Sequence, residues 1–360
     1  MRLLRCLMVS PLLLALGLVH AQGSSAPRQD WPTASPTEQA LDEKAFVGLT
    51  QRIDSDLTDI RSVVVVRRGH IAFEYYRSGL TPESLQSVES VTKSVLSMLV
   101  GIAHSQGRIP DLDRPIVELM PELAEVNSDP RARTVTVRHL LTMTAGFQSS
   151  ERRFFDPKEL APYAMSRKFA ANPGEVFRYD NPGANLLAAV IGKAVAEEPG
   201  VFAQRHLFAP LGIDRAEWER DMHGHSLGYR GLKLRTRDLA KLGLLMLQHG
   251  VWRGRQLIPE TYVAAATDLQ NRGASPAGLA YGYLWWVPPS NALSNTARTT
   301  FIASGFGGQI LFVHTPLDLV VAVTSEVSEA STARNQALDL ARKGIYQAVL
   351  KSQAEPSTPP

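Results

Sequence analysis

The chain has a single cysteine, Cys6, among 360 residues. One thiol excludes a disulfide framework within the chain and any cysteine-built zinc site. Charge of one sign is also lacking: 38 Lys and Arg stand against 35 Asp and Glu, a net charge of +3. That balance excludes the basic face of a nucleic-acid binder and a polybasic membrane patch. Long apolar runs are scarce. The one at Leu7–Val19 is broken by Ser10, Pro11 and Gly17 and is too short to span a bilayer comfortably. Arg2 and Arg5 precede it and Val19-His20-Ala21 closes it, so residues 1–21 read as a secretory signal, an uncleaved anchor being the alternative. Its removal takes Cys6 away and lowers the net charge to +1. An exported chain without cysteine suits a bacterial periplasm or secretion, with no stable membrane insertion once the signal is cut.

Residues 22–40, rich in Ser, Pro, Thr and Gln, read as a flexible leader, and residues 351–360 as a disordered tail. Between them, residues 41–350 show no repeat and no linker. Ser62–Arg67 and Ile71–Tyr76 are β-branched and aromatic runs joined at Arg68-Gly69-His70, a hairpin signal. From about residue 110 to 280 the pattern is mostly helical, with apolar periodicity over Leu186–Glu197 and Thr236–Gln248. Strands return at Tyr281–Val287, Gln309–Val313 and Leu319–Thr324, before a closing helix over Ser331–Leu350. Strands at both ends with helices between predict an α+β fold. One antiparallel sheet is built from the two termini and flanked by helices, with a mainly helical subdomain inserted. The cleft between the two parts is the expected site.

Three segments carry chemistry. Ser90-Val91-Thr92-Lys93 is the only Ser-x-x-Lys in the chain and opens a helix whose apolar stripe is Val91, Val95, Met98, Leu99 and Ile102. Ser90, Lys93, Ser97 and Gly101 share another face, small and polar, as a cleft-lining helix requires. Three residues along a helix bring the Ser90 hydroxyl within reach of the Lys93 amine, and a serine becomes a nucleophile when a neighbouring base takes its proton. Without support from elsewhere, the same four residues read as a helix-capping serine followed by a solvated lysine.

Tyr179-Asp180-Asn181 is the only Tyr-x-Asn. Pro182 biases Asn181 toward an extended conformation, so Tyr179 and Asn181 can point to one side, ahead of the Leu186 helix. A phenol beside a lysine ammonium is expected to have a lowered pKa and to shuttle protons. The Asn181 amide offers a donor and an acceptor to a substrate carbonyl or amide. An Asx-Pro turn with a packed tyrosine is the bland alternative. The third segment, Ala303-Ser304-Gly305-Phe306-Gly307-Gly308-Gln309, places three glycines at a strand edge, where a substrate can approach the backbone. A glycine-rich hairpin turn would look the same.

Together, and in this order, the segments resemble the serine β-lactamase and penicillin-binding protein superfamily. Within it they are most similar to the branch of class C β-lactamases, D-Ala-D-Ala carboxypeptidases, esterases and 6-aminohexanoate-dimer hydrolases. The likeness runs from about residue 45 to 345. It includes Val137-Arg138-His139-Leu140-Leu141-Thr142, Pro173-Gly174-Glu175, Pro210-Leu211-Gly212, Arg237-Asp238-Leu239-Ala240 and Tyr281-Gly282-Tyr283-Leu284-Trp285-Trp286. The resemblance implies a β-lactamase-like fold and an acyl-enzyme route on a small ester, amide or peptide-like substrate, without metal or organic cofactor. Ser90 is then the nucleophile, Lys93 and Tyr179 move the proton, and Asn181 orients the acyl portion. Ser304, Gly305 and Phe306 line the substrate, with the N–H groups of Ser90 and Phe306 as oxyanion hole. One departure matters. Where β-lactamases and carboxypeptidases have Lys-Thr-Gly, this chain has Ala303-Ser304-Gly305, so the cation that engages a substrate carboxylate is missing. An esterase or amidase is therefore expected ahead of a β-lactamase or carboxypeptidase, with a non-catalytic penicillin- or peptidoglycan-binding protein as a further alternative. Arg178 or the Arg152-Arg153 loop could replace the cation.

A second serine competes. Gly224-His225-Ser226-Leu227-Gly228 fits the nucleophile-elbow pattern, but no buried strand precedes it and no amphipathic helix follows. His223 and His225 read as a polar loop rather than metal ligands, and His139 as a residue that orders a helix start or a loop rather than a base. Trp285 and Trp286 should point to opposite faces of one strand, one to the core and one to the cleft.

Overall fold

The computed structural model describes residues 31–149, 160–288 and 300–354. The signal segment, residues 22–30 of the leader, Arg152-Arg153 and residues 355–360 of the tail lie outside the described residues.

The hairpin forms where the β-branched runs predict it. β1 (Ile60–Arg67) and β2 (His70–Tyr76) are joined through Arg68 and Gly69, both at positive φ (48° and 78°), a turn whose twist matches the strands it connects. β3 (Gln86–Ser87), β4 (Glu217–Trp218) and β5 (Leu232–Leu234) make a small sheet in the order β3-β5-β4, and β6 (Val251–Trp252) pairs with β7 (Arg255–Gln256). β8 (Ala280–Tyr281), β9 (Trp286–Val287), β10 (Thr300–Gly305), β11 (Gln309–His314) and β12 (Leu319–Ser325) complete the main sheet. It is seven-stranded and antiparallel, in the order β2-β1-β12-β11-β10-β9-β8. Val63 to Val66 pair residue by residue with Val323 to Val320, so strands from the early and late parts of the chain lie side by side in one sheet.

Helices cover both faces, which is why the valine run is buried throughout instead of alternating. On one face lies the helix Thr236–Leu247. A Cβ on its Gly243 would come within 2.6 Å of Val320 and 2.7 Å of Leu311, so the missing side chain lets helix and sheet touch. On the other face Phe312 meets Tyr346 of the closing helices, at 5.8 Å between ring centres.

Several elements differ from their expected extents. Residues 31–40, assigned to the flexible leader, are held: Trp31 Nε1 donates to Gly69 O (2.9 Å), Ile71 N–H donates to Pro32 O and Ala34 N–H donates to Ile71 O along the free edge of β2, which covers that edge. The expected strand Tyr281–Val287 is a tight hairpin instead. Leu284 sits at φ +60° and its N–H donates to Leu141 O, while Tyr283 N–H donates to Ala266 O. The closing helix breaks at Asn335 (φ +53°), then runs through a π-turn at Leu340–Ile345 into Tyr346–Ala354, carrying helix into residues 351–354 of the expected tail. β10 was not among the expected strands; only its Ala303-Ser304-Gly305 end was expected, at a strand edge before the Gln309 strand. Its Ala-Ser-Gly end has little strand propensity, and pairing with β11 and β9 supplies the order.

Candidate active site

Ser90 stands at the N-cap of the helix Val91–Ser105. The approach to it is tightly held. Val88 N–H donates to Leu232 O, Ser87 Oγ donates to Glu89, and Glu89 turns the chain at φ +47°, a conformation that costs a non-glycine residue free energy and concentrates at functional sites. One turn on, Lys93 Nζ lies 2.9 Å from Ser90 Oγ and 2.8 Å from the carbonyl of Tyr229, with the lysine 1% exposed. Burial penalises the ammonium and lowers the Lys93 pKa to about 7, against the smaller opposing pull of Asp180 and Glu89. The solvated-lysine alternative is thereby excluded. Farther along the helix the small polar face is not a cleft. Ser97 Oγ meets the Tyr262 hydroxyl (3.3 Å), and a Cβ on Gly101 would fall 2.7 Å from the Tyr262 ring; a neighbouring helix (Glu260–Ala266) packs there.

Tyr179 reaches the same place. Lys93 Nζ is 4.8 Å from its ring centre, and its hydroxyl lies close enough to Ser90 for the serine to pull on the phenol proton. Its other neighbour is Trp286, stacked at 5.9 Å and 13°. The expectation of a lowered phenol pKa is overturned: burial raises it to about 12, the opposing influence of Ser90 only partly offsetting this. A neutral Lys93 contributes no positive charge to pull it down. Asn181 also differs from its expected extended form. It is the first residue of the helix Asn181–Val195, with Asp180 as the extended N-cap. Pro182 is accepted in that first turn because its missing N–H would have had no helical partner. The Asn181 Oδ1 atom, two residues along the chain from Tyr179, is buried without a hydrogen-bond partner, a free acceptor of the kind that calls for an external donor.

The third segment arrives on β10. A Cβ on Gly305 would lie 2.5 Å from Val88 O and 3.0 Å from Glu89 Cβ, so only glycine lets the strand end press against the segment entering Ser90. Among the described residues, the N–H groups of Ser90 and Phe306 have no intramolecular acceptor. Two free backbone donors on neighbouring segments can hold an oxyanion. Ser304 is half-buried and paired with Ile310, Phe306 is exposed, and Ala303 is 1% exposed.

The competing residues fall elsewhere. Ser226 is buried and accepts from Gly200 N–H (3.2 Å), with neither the strand nor the helix of an elbow around it. His225 Nδ1 meets Glu198 (2.9 Å), and no group of three His, Cys, Asp or Glu residues able to hold a metal occurs among the described residues. His139 closes a capping box with Thr136, as expected of a helix start. Arg178 lines a small cavity together with Asp180, His139 and Gly183. Trp285 and Trp286 are both buried; Trp286 stacks on Tyr179, and Trp285 meets Phe301 edge-on at 5.3 Å. Sequence reasoning missed the Tyr229 carbonyl that holds Lys93. Gly228 signals it only in three dimensions, where its Cβ would fall 2.1 Å from Ala184 O.

The family model Beta-lactamase matches residues 35–343, and the chain belongs to this family of hydrolases. Among curated relatives, the 6-aminohexanoate-dimer hydrolase of Paenarthrobacter ureafaciens is 26% identical over 338 residues, covering 85% of this chain and 82% of that one. Two solved structures establish the fold as β-lactamase-like. EstCE1, described as a hydrolase with promiscuous acyltransferase activity, aligns at TM-score 0.70 and 16% identity over 86% of this chain and 99% of its own. A penicillin-binding protein homologue from Caulobacter crescentus aligns at TM-score 0.64 and 16% identity over 85% and 97%. No helix among the described residues is long and apolar enough to cross a membrane.

Proposed function

We propose that this chain is an exported serine hydrolase that cleaves small esters or amides through an acyl-enzyme. The observation that carries the reading is the buried Lys93 amine, 2.9 Å from Ser90 Oγ with its pKa near 7. At neutral pH a large share of the amine is unprotonated and can accept the serine proton, as a general base must. Ser90 Oγ attacks the substrate carbonyl carbon, its proton passes to Lys93, and the oxyanion is held by the N–H groups of Ser90 and Phe306. Tyr179, neutral at its raised pKa, gives its proton to the leaving oxygen or nitrogen and is reprotonated from Lys93. The alcohol or amine departs and the acyl group stays on Ser90. Water then attacks the acyl carbon, the same pair takes its proton, and the acid leaves as Ser90 regains its own. The proton-transfer pair should supply roughly 10²–10⁴-fold and each oxyanion donor on the order of 10²–10³-fold.

Asn181 Oδ1, buried and unpartnered, is suited to accept from an amide N–H on the acyl side. The relative named 6-aminohexanoate-dimer hydrolase and the acyltransferase description of EstCE1 support small amides and acyl transfer as the chemistry. Ala303 at the third motif favours neutral substrates over carboxylate-bearing ones. Parallel assays of a short-chain nitrophenyl ester, nitrocefin and a D-Ala-D-Ala peptide, with wild type and Ser90→Ala, test the reading. Turnover of the ester that disappears in Ser90→Ala is expected; no turnover of any of the three by wild type would favour a binding protein instead.

A further inference from the structure

We infer that Arg167 and Asp180 form a buried positioning pair that sets the geometry of Tyr179 and Asn181 and the protonation of Lys93. The inference rests on the proposed roles of those three residues. Asp180 stands between Tyr179 and Asn181 as the N-cap of the helix Asn181–Val195, yet its side chain makes no capping bond. Both its oxygens are taken instead by Arg167, Nη1 to Oδ1 at 2.8 Å and Nη2 to Oδ2 at 2.7 Å, with the side chains 8% and 12% exposed. This bidentate fork fixes the carboxylate in direction as well as distance.

The guanidinium is itself held from several sides. Its Nε donates to Ala164 O (3.0 Å), Nη1 also donates to Gln148 O (3.2 Å), and its centre lies 4.7 Å from the Phe147 ring centre. On the far side, Asp180 N–H donates to Met143 Sδ, and a Cβ on Gly183 would come within 2.5 Å of Asp180 Oδ2. The side chain omitted at Gly183 therefore leaves room for the carboxylate. A peptide clamped in this way carries Tyr179 and Asn181 on its two flanks, so a lost fork lets both drift at once. Misplacement by about 1 Å can cost about 10²-fold in rate.

The pair also acts through charge. Lys93 is faced by Glu89 from the segment entering its helix, by Tyr179 and Asp180 from the next, and by Tyr229 with Arg230 behind it from the Gly228 loop. Asp180 in turn faces Arg167, and shares its small cavity with Arg178 and His139. Arg167 partly cancels the pull of the Asp180 carboxylate on the Lys93 proton. Removing the arginine leaves that carboxylate uncompensated and favours the ammonium. Removing the carboxylate leaves the arginine uncompensated and disfavours it.

The test is the pH dependence of nitrophenyl ester hydrolysis by Arg167→Met, Asp180→Asn, the double variant and Arg167→Lys, with thermal melts alongside and Ser90→Ala as reference. Arg167→Met should lose at least about tenfold in kcat and move its acid limb to higher pH by at least about half a unit. Asp180→Asn should move the limb the opposite way. The double variant should bring the limb back while kcat stays low, and Arg167→Lys, which keeps the charge and loses the fork, should lose rate with the limb unmoved. Should Arg167→Met fail to fold, Asp180→Asn and Arg167→Lys carry the comparison. Limbs that stay in place in both neutralising variants, or move in the same direction, overturn the pair's role. Undiminished hydrolysis by Ser90→Ala would overturn instead the reading beneath it.

Discussion

The Lys93 amine is shared between the Ser90 hydroxyl, 2.9 Å away, and the Tyr229 carbonyl, 2.8 Å away, and it is sealed from solvent. An exposed lysine keeps its proton until pH 10 or so, whereas this one gives it up near 7 because burial disfavours the ammonium. The kcat/KM of ester hydrolysis should therefore rise with pH through a single ionisation near 7 and then level off. With Tyr179 raised to about 12, no fall from that group is expected below pH 10. An acid limb near pH 10 would mean that Lys93 is an ordinary ammonium.

The same burial has a cost in stability, and its sign is fixed. The folded pKa of Lys93 is depressed to about 7 from 10.5, so between those values the unfolded chain binds more protons and stability rises with pH. The penalty is present in full below pH 7 and vanishes above 10.5. Lys93→Met, similar in volume and uncharged, should raise Tm by a few degrees. Its margin over wild type should be flat below pH 7 and shrink as pH rises toward 10.5. Melts across that range check it, and a variant less stable than wild type at pH 6 would contradict it.

The α+β fold was legible because its determinants are local or repetitive. The valine run of β1, the Arg68-Gly69 turn and the apolar stripe of the Ser90 helix each read correctly from short windows. The Ser90–Lys93 contact followed from helical spacing alone. Contacts made over long distances in sequence were not legible. β10 is ordered by its neighbours rather than by its residues, and the Tyr229 carbonyl reaches Lys93 only through close packing at Gly228. The error over the Tyr179 pKa has the same origin. Spacing shows which groups can meet, but burial decides which of them is charged.

Two residues acting on one proton should not behave independently. Lys93→Ala and Tyr179→Phe should each lower kcat by at least about 10²-fold, and the double variant should lose much less than the product of the two. Single-turnover rates of the three variants measure this. Near-full activity in either single variant would remove that residue from the proton path.

On the proposed function, substrate class should turn on Ala303. A charge-assisted bond to a carboxylate is worth roughly 1.5–3 kcal/mol, about ten- to a hundredfold, and a neutral ester forgoes nothing when it is absent. Arg178 lines a small cavity with Asp180 and His139, and its Nη1 reaches Ser149 Oγ at 3.4 Å. Short-chain esters should be turned over much faster than nitrocefin, and Ala303→Lys should shift the ratio toward nitrocefin. Wild-type nitrocefin hydrolysis as efficient as ester hydrolysis would show that a cation reaches the site from another segment.

Identification of the acylated residue tests the central claim most directly. After brief exposure to a fluorophosphonate or a slow acyl donor, intact mass followed by peptide mapping should find one adduct per chain, on Ser90. Ser90→Ala should take up none, and Ser226→Ala should label as wild type does. An adduct on Ser226 or on any residue other than Ser90, surviving in Ser90→Ala, would contradict the assignment of Ser90 as the nucleophile that Lys93 activates.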